Sequence, residues 1–390
     1  MHLLRVQFTD FRGLKNIDIT FEKDFVPSIF PLGSQNGGGK STLLQLIFVL
    51  LHCSVDEDKK PFLENLLQGF KIHERDEEKI LAIIDIWDGE NIVNLKFYCY
   101  KYSIEAGTEL DDEEMSLIGI SKEIIDVCSF SKVTGTFSQY DHDYEILTIT
   151  ELKCRFNNPN KEQAELFLDK VSRKIFLAAP STQVFLFLPP DSRKLLFSNS
   201  SKADKNYYGI LASARFELKG LFTYDFLAVN LLIKSFKDAR DRDFREAIKT
   251  GNYGNSYQSL INDLNLLLGN KRINLNEDFS GVNFQLYNNG ETIELYPEDL
   301  SHGELKRLSI YIWIKSRNIE DAIVLMDEVE IAFHPDWQYQ IISDLKEWAP
   351  SNQYILATHS YALCEALTPA HVKEIEPKLI KQESNITNES

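Results

Sequence analysis

The chain has 390 residues, of which 43% are apolar and 26% are charged, and its formal net charge at pH 7 is −17. This apolar content excludes a wholly disordered chain, and the negative charge argues against a generally basic nucleic-acid coat protein. The length predicts two to three domains and a substantial core.

The apolar runs and the cysteines indicate the compartment. No run approaches the roughly 18 apolar residues that a membrane-spanning helix needs. Arg5 and Asp10 stand where a signal peptide would have apolar residues. The five cysteines are scattered without a C-x-x-C pair, which favours a reducing compartment over a disulfide framework or a cysteine zinc site. We therefore expect a cytoplasmic protein without a membrane partner.

The first fifty residues predict strands followed by a helix. Alternating apolar and polar residues indicate strands at 3–8 and 17–21, with a turn at Gly13 between them. A third strand near 28–32 leads into a glycine-rich loop. The nearly continuous apolar run at 41–51 then predicts a buried helix.

The glycine-rich loop has the sequence S-Q-N-G-G-G-K-S-T and begins at Ser34, where the usual pattern has glycine. Glycines let backbone N–H groups close around a phosphate, and the N-terminus of the next helix adds a favourable dipole. In such a loop Lys40 would reach the β- and γ-phosphates, and the Ser41 hydroxyl would ligate Mg²⁺. The candidate nucleotide-binding residues are Asn36, Gly37, Gly38, Gly39, Lys40, Ser41 and Thr42.

The middle of the chain is less informative. Alternation predicts strands at 80–104 and 144–156, and 160–270 is mostly helical in pattern with a strand-like stretch at 184–188. Residues 171–250 hold 14 Lys and Arg against 8 Asp and Glu. This excess indicates either a phosphate-facing surface for nucleic acid or a solvated helical face with ion pairs, and the sequence leaves both open.

Strands are predicted again at 282–287 and 291–295, before the sequence L-S-H-G-E at 300–304 opens a helix. Ser301 and Glu304 satisfy the S-x-x-E capping box, which would simply start that helix. Alternatively, Ser301 and Gly303 at a helix N-terminus would present donors to an anion, such as a γ-phosphate supplied by a second subunit.

An apolar strand at 322–326 ends in Asp327 and Glu328. In a nucleotide-hydrolysing site, Asp327 would hold the Mg²⁺ shell and Glu328 would orient and deprotonate the attacking water. The alternative is a core strand that ends in solvated acids.

A last strand, at 354–357, ends in T-H-S at 358–360. His359 would contact the γ-phosphate or the attacking water, although a lone histidine at a strand end also occurs as a structural residue.

These four motifs, in this order, resemble the ABC-type ATPase head of the SMC/RecF/OLD-like group. The resemblance implies an α/β P-loop NTPase fold, in which flanking helices surround a mixed sheet beside an antiparallel β lobe, with a helical insertion. It divides the chain into an N-terminal half of the head at 1–160, a mainly helical insertion at 161–270, a C-terminal half at 271–375 and a disordered tail at 376–390.

Three features indicate the branch of this group. The lysine of the phosphate loop and Ser301 are 261 residues apart, whereas transporter subunits, the first competitor, separate them by about a hundred. The stretch D-F-R-G-L at 10–14 resembles the first turn of SMC/RecF-like heads. The form D-E-x-E-x-x-x-H-P at 327–335 is similar to OLD-like ATPases, many of which serve DNA repair and anti-phage defence.

The chain after Ser360 is too short for the TOPRIM nuclease domain of OLD proteins. The resemblance therefore implies a stand-alone ATPase subunit like those of Septu or PARIS, whose nuclease is a separate polypeptide. The alternative is a RecF-like DNA-repair ATPase without a dedicated nuclease, with DNA bound through 171–250.

The resemblance also implies ATP and Mg²⁺ as cofactors, held between two copies of the chain in a homodimer or a higher oligomer. Each site would combine Lys40, Ser41, Asp327, Glu328 and His359 of one copy with Ser301 and Gly303 of the other. Arg12 is a further candidate for phosphate contact. The glutamine that couples the β lobe to Mg²⁺ would be Gln183, with Gln139 as the rival candidate. His302 departs from the commoner glycine at its position.

Overall fold

The computed structural model describes residues 1–34, 37–67, 78–105, 124–139, 142–157, 161–189, 207–224, 229–276, 278, 280–288 and 291–375. The strands described are β1 (His2–Phe11), β2 (Leu14–Thr20), β3 (Ile29–Gly33), β4 (Glu78–Trp87), β5 (Ile92–Glu105), β6 (Ile124–Gln139), β7 (His142–Phe156), β8 (Ile175–Ala179), β9 (Leu221–Thr223), β10 (Lys271–Leu275), β11 (Val282–Asn288), β12 (Glu291–Leu295), β13 (Ile323–Asp327), β14 (Gln353–Ala357) and β15 (Lys373–Glu374). The α-helices described are α1 (Lys40–Cys53), α2 (Lys60–Leu67), α3 (Lys161–Ser172), α4 (Tyr207–Glu217), α5 (Val229–Thr250), α6 (Ser256–Leu268), α7 (His302–Ser316), α8 (Pro335–Trp348) and α9 (Tyr361–Glu365).

A six-stranded parallel sheet, in the order β15-β3-β14-β13-β8-β9, forms the centre of the molecule. Its inner strands are almost entirely apolar because both of their faces are covered. Successive residues of β13 alternate between two cores: Leu325 packs in the core that contains α1, and Val324 packs in the core that contains α7 and α8. The helices therefore cover both faces of the sheet and fix the positions of its strand ends.

A second six-stranded sheet, antiparallel and in the order β2-β1-β4-β5-β7-β6, packs against the same side as α1. Its inward residues, such as Val6 and Ile84, share one core with that helix. Because α1 lies between the two sheets, twelve of its fourteen residues are buried, which explains the continuous apolar run in its sequence. The side chain of Gln353 joins the sheets by accepting from the N–H of Leu3 at 2.6 Å and donating to its carbonyl at 2.9 Å.

The predicted α/β class, with flanking helices and an antiparallel lobe, is confirmed. One local prediction is wrong: the strand-like stretch at 184–188 lies largely in a 3₁₀ helix, Ser181–Phe187. This helix starts directly after β8 at Pro180, whose carbonyl accepts from the N–H of Gln183 at 3.0 Å and closes a turn.

The segment 161–270 carries α3 to α6 and also β8 and β9, which form one edge of the parallel sheet. The predicted four-part division of the chain stays a prediction, and its tail at 376–390 lies outside the described residues. Within the part of the chain described, no helix combines the length and apolar content that crossing a membrane requires.

Candidate functional site

Three of the four sequence motifs follow three adjacent strands of the parallel sheet. The glycine-rich loop follows β3, the acidic pair ends β13, and T-H-S follows β14, which lies between the other two. Because parallel strands end at the same edge of the sheet, the fold brings these motifs to one place. Open α/β sheets bind their ligands at this edge, outside the carboxyl ends of the strands.

The glycine-rich loop needs glycine for its backbone path. Gly37 and Gly39 have φ angles of +81° and +86°, in the left-handed region that other residues rarely adopt. A Cβ on Gly39 would also lie 2.5 Å from Cδ2 of Leu14, on the β1–β2 hairpin. The structure places Gly38, Lys40, Ser41 and Thr42 in this loop and the first turn of α1, whereas Asn36 lies outside the described residues.

Lys40 turns back on its own loop. Its ammonium donates to the carbonyl of Ser34 at 3.1 Å and to the Ser34 hydroxyl at 2.9 Å. Burial lowers the pKa of Lys40, while the negative charges of Asp327, Glu330 and Glu328 act in the opposite direction. The charges of these three carboxylates thus act on the ammonium, and Ser34 supplies two of its hydrogen-bond acceptors.

Ser41 and Asp327 meet across 286 residues of sequence, where the Ser41 hydroxyl donates to Oδ1 of Asp327 at 3.1 Å. Asp327 is only 2% exposed, and its Oδ2 is buried without a hydrogen-bond partner among the described residues. Burial raises the pKa of Asp327 to about 7, and the charges of Glu328 and Glu330 add to the rise. An unsatisfied buried carboxylate oxygen beside a hydroxyl is suited to a bound cation.

This pair fits Mg²⁺, which proteins usually bind through one or two carboxylates together with substrate phosphates and water. In the described part of the chain, no cluster of three or more His, Cys, Asp and Glu side chains is arranged to hold a metal by protein ligands alone. Ser41 and Asp327 would therefore hold the ion only in company with a nucleotide.

Glu328 follows directly in an unusual backbone conformation, with φ at +51°. Its N–H donates to the carbonyl of Ala357 at the end of β14 at 2.9 Å. Its own carbonyl accepts from the ammonium of Lys306, on α7, at 2.9 Å. A non-glycine residue in the left-handed region is strained, and these two bonds hold the Glu328 backbone in that conformation at the sheet edge.

His359 lies two residues beyond the end of β14 with its side chain exposed. Its backbone N–H donates to Oε1 of Glu330 at 2.7 Å. The neighbouring Ser360 hydroxyl donates to the side-chain oxygen of Gln338, on α8, at 2.6 Å. The imidazole is thus on a backbone segment held from two sides.

Ser301 is the N-cap of α7 and forms the predicted capping box with Glu304. The Ser301 hydroxyl accepts from the Glu304 N–H at 3.3 Å, and the Glu304 carboxylate accepts from the Ser301 N–H at 2.9 Å. Gly303 is buried, since a Cβ there would lie 2.7 Å from the Ala332 carbonyl oxygen. Within one copy, Ser301 therefore bonds to the first turn of its own helix, and Gly303 packs against the loop at 328–334. The Ser301 side chain is exposed.

Arg12 and Gln183 occupy different surroundings. Arg12 lies on the β1–β2 turn, with its guanidinium 5.3 Å from the ring centre of Phe11. It is two residues before Leu14, whose side chain lies next to Gly39. The side-chain oxygen of Gln183 accepts from Gln45, one turn after Ser41 on α1, at 2.9 Å. Gln139, the rival candidate, ends β6 at an edge of the antiparallel sheet.

Two residues without a role in the sequence analysis stand out, namely Lys306 and Glu330. Lys306 is 7% exposed and also donates to the carbonyl of Ile331 at 3.1 Å, with its ammonium 4.0 Å from the ring centre of Tyr224. Glu330 is 8% exposed. In the sequence, Lys306 is a lysine within the helix predicted after L-S-H-G-E, and Glu330 is the second glutamate of D-E-x-E.

The basic segment at 171–250 is described only in part. On α5, the exposed cations alternate with acids, and Arg240 forms an ion pair with Asp241 at 2.8 Å. The exposed cations of this helix are Lys234, Lys237, Arg240, Arg242, Arg245 and Lys249.

Comparison with known proteins places these features in context. A family model described as an AAA ATPase domain matches residues 1–363. A relative from Vibrio cholerae serotype O1 biovar El Tor, named Retron Vc95 probable ATPase, is 31% identical over 113 aligned residues, with 25% of this chain and 22% of that protein covered. The chain thus spans 22% of the length of this relative.

Solved structures of SMC heads also match. The SMC head domain from Thermotoga maritima aligns with 94% of this chain and 92% of its own at 11% identity, with a TM-score of 0.42. An SMC head from Pyrococcus furiosus with an extended coiled coil, bound to the C-terminal domain of ScpA, aligns with 94% and 91% at 14% identity, with a TM-score of 0.37.

Proposed function

This chain belongs to the AAA ATPase domain family and is an ATPase, and we propose that it binds ATP and Mg²⁺ at the edge of the parallel sheet and hydrolyses ATP there. The prediction of an ATPase from the four motifs is confirmed by this family membership. The roles of single residues below are proposals that rest on the geometry of the site.

The observation that carries the proposal is the contact between Ser41 and Asp327. A hydroxyl from the first turn of α1 and a buried carboxylate at the end of β13 meet at 3.1 Å, and one carboxylate oxygen stays unpaired among the described residues. Bound Mg²⁺ would neutralise phosphate charge at this point. Ser41 and Asp327 would be its protein ligands, and Lys40 would exchange its contacts with Ser34 for phosphate oxygens.

Glu328 would act as the general base. Its backbone is fixed by Ala357 and Lys306, so its carboxylate would orient water for attack on the γ-phosphate and accept the proton. His359 would contact the γ-phosphate from the neighbouring strand end. Catalysis would rest on positioning and charge compensation, because phosphoryl transfer needs little covalent chemistry from the protein.

A second copy of the chain would complete each site through Ser301 and Gly303. Ser301 is exposed at the start of α7, where free backbone donors and the helix dipole favour an anion. Its hydroxyl donates to the Glu304 carboxylate at 2.8 Å, so contact with a γ-phosphate would exchange one anionic acceptor for another. ATP would then join two copies, and hydrolysis would release them.

We further propose that this dimerisation regulates a separate effector protein, a nuclease in anti-phage defence. The resemblance of the motifs to stand-alone ATPases of defence systems supports this role. The relative from V. cholerae is named as the ATPase of a retron, which supports an ATPase that works as one component of a system.

The exposed cations of α5 favour a second candidate, a RecF-like ATPase that binds DNA without a dedicated nuclease. Under this alternative, replacing Lys237, Arg240, Arg242 and Arg245 by Gln would abolish DNA binding and the effect of DNA on ATP hydrolysis. Under the effector hypothesis, the same variant would still co-purify with the products of neighbouring genes in the presence of ATP.

The proposed function is tested with Glu328→Gln, which preserves the shape of the base but removes its charge. We expect this variant to bind ATP, to hydrolyse it about 10²- to 10⁴-fold more slowly, in the range of general-base catalysis, and to accumulate dimers. Light scattering coupled to gel filtration, with and without ATP and Mg²⁺, measures the dimers. Glu347→Gln, on the exposed side of α8, is the matched control. A wild-type rate for Glu328→Gln would refute the assignment of the base.

A further inference from the structure

We propose that Glu330 is a positioning residue that holds His359 at the phosphate end of the site, an inference that rests on the proposed function. The sequence places Glu330 three residues after Asp327, beyond the residue assigned as the base. In the fold Glu330 lies at the sheet edge, where its Oε1 accepts a hydrogen bond from the backbone N–H of His359 at 2.7 Å. It thereby links the loop after β13 to the end of β14.

The link lies between two strand ends that both border the site. The N–H of Thr358 contacts the carbonyl of Leu32 on β3 at 3.4 Å, and the N–H of Glu328 donates to Ala357 at 2.9 Å. His359 is the next residue after Thr358, so its backbone lies close to the end of β3, where the phosphate loop begins. Glu330 accepts a hydrogen bond from the backbone N–H of His359 itself.

The burial of Glu330 indicates a specific role. It is 8% exposed, and its Oε2 is buried with no hydrogen-bond partner among the described residues. Burying a carboxylate costs several kcal/mol unless charge and hydrogen bonds compensate, and an apolar residue would usually pack there at lower cost. The bond to His359 and the attraction between the charges of Glu330 and Lys40 offset part of this cost.

Other contacts keep the neighbouring backbone in place. The Ser360 N–H donates to the Thr358 hydroxyl at 2.9 Å, and the Ser360 hydroxyl reaches Gln338 at 2.6 Å. Gln338 in turn donates to the carbonyl of Phe333 at 3.1 Å, in the same loop as Glu330. Because these bonds fix the residue after His359 but not its own N–H, loss of Glu330 would free the histidine without unfolding the strand end.

The test is a double-mutant cycle on ATP hydrolysis and ATP affinity, with Glu330→Ala, His359→Ala and the combined variant. We expect Glu330→Ala to lower kcat about 10- to 100-fold, since small displacements of a contact group have effects of this size, and to change the Kd for ATP less than about 3-fold. The combined variant should match His359→Ala within about 2-fold, because a residue that acts through another adds nothing once that residue is gone.

Glu330→Gln is the conservative variant, since its amide oxygen can still accept from the His359 N–H. We expect it to retain kcat within about 5-fold, because a neutral hydrogen bond replaces a charge-assisted one. Glu347→Ala removes a carboxylate from the exposed side of α8 and serves as the control with unchanged kcat. Thermal unfolding reports whether each variant folds, and where Glu330→Ala does not, the cycle is run with Glu330→Met, which keeps the side-chain volume but removes the carboxylate acceptor.

Three results would overturn the inference: wild-type kcat in Glu330→Ala, multiplicative losses in the combined variant, or loss of Mn²⁺ binding in Glu330→Gln as severe as in Asp327→Asn. The last result, measured by electron paramagnetic resonance of Mn²⁺ with ATP, would make Glu330 a metal ligand. Failure of the wild-type chain to bind ATP would instead refute the proposed function, so the two failures are distinguishable.

Discussion

The hydroxyl of Ser34 accepts a hydrogen bond at 2.9 Å from the ammonium of Lys40, at the other end of the same loop. Ser34 stands at the position where the usual phosphate-loop pattern has glycine. The bond gives this departure a physical consequence, because the same ammonium is the group that would reach the phosphates of ATP. Ser34 would therefore compete with the nucleotide for Lys40.

We predict that Ser34→Ala binds ATP about 2- to 10-fold more tightly than the wild type, as expected for the loss of one competing hydrogen bond. Titration calorimetry in the presence of Mg²⁺ measures the change. Ser351→Ala is the matched control, since Ser351 accepts from the Asp321 N–H before β13 and β14, at the opposite end of the sheet. Unchanged or weaker binding by Ser34→Ala would show that Ser34 does not restrain the lysine.

The ammonium of Lys306 connects the helix that begins after Ser301 to the loop that carries Glu328, the proposed base. We predict that Lys306→Met lowers the free energy of unfolding by about 1–3 kcal/mol, because the carbonyls of Glu328 and Ile331 lose their donor. It should also lower kcat at least about 10-fold, since the strained backbone of Glu328 would relax. Urea unfolding and steady-state hydrolysis measure the two effects.

The matched control is Lys315→Met, at the far end of the same helix. Lys315 donates to the carbonyl of Trp348 at 2.6 Å, so its loss also removes a hydrogen bond to the backbone, away from the strand ends of the site. We expect Lys315→Met to lose stability but to keep kcat. Equal losses of kcat in both variants would mean that Lys306 acts only through stability.

The stability of the fold should depend on pH through His52. This side chain, on α1, is stacked on Phe48 with ring centres 4.8 Å apart, and its Nδ1 lies 2.7 Å from the carbonyl oxygen of Ser172. Burial, followed by the charge of Lys59, lowers the pKa of His52 from 6.5 to about 4. Because the unfolded chain takes up the proton first, the stabilisation is complete above pH 6.5 and is lost as the pH falls towards 4.

We predict that this titration removes about 2–3 kcal/mol of stability between pH 7.5 and pH 4.5. The measurement is the difference in free energy of unfolding between the wild type and His52→Phe at each pH, which cancels the contribution of other groups. His334→Gln, an exposed histidine at the start of α8, is the control. Parallel pH profiles for the wild type and His52→Phe would contradict the prediction.

The sequence was sufficient to predict the elements that have strong local patterns. The strands at 282–287 and 291–295 correspond to β11 (Val282–Asn288) and β12 (Glu291–Leu295), and the apolar run before Asp327 corresponds to β13. The meeting of Ser41 with Asp327, which the structure shows at 3.1 Å, was implied by the resemblance of the motifs to ABC-type ATPase heads. The strands depend on residues close in sequence, whereas the pairing of the distant motifs came from that resemblance.

The contacts of Lys306 and Glu330 could not be predicted in this way. Each reaches across 22 or more residues, to Glu328 and His359 respectively, and no periodic pattern records such a partner. The wrong strand at 184–188 has a related cause. Pro180 closes a turn directly after β8, and this tertiary setting outweighs the strand propensity of the apolar residues that follow.

The central claim, that ATP joins two copies into composite sites, is tested most directly by mixing two inactive variants. Lys40→Ala removes the phosphate lysine, and Ser301→Arg blocks the surface offered to the other copy. In a mixed dimer, one site then has an intact Lys40 from one copy and an intact Ser301 from the other. Random mixing should restore about a quarter of the wild-type ATPase rate, since half of the dimers are mixed and each has one intact site. A mixture that stays as inactive as its separate components would contradict the claim.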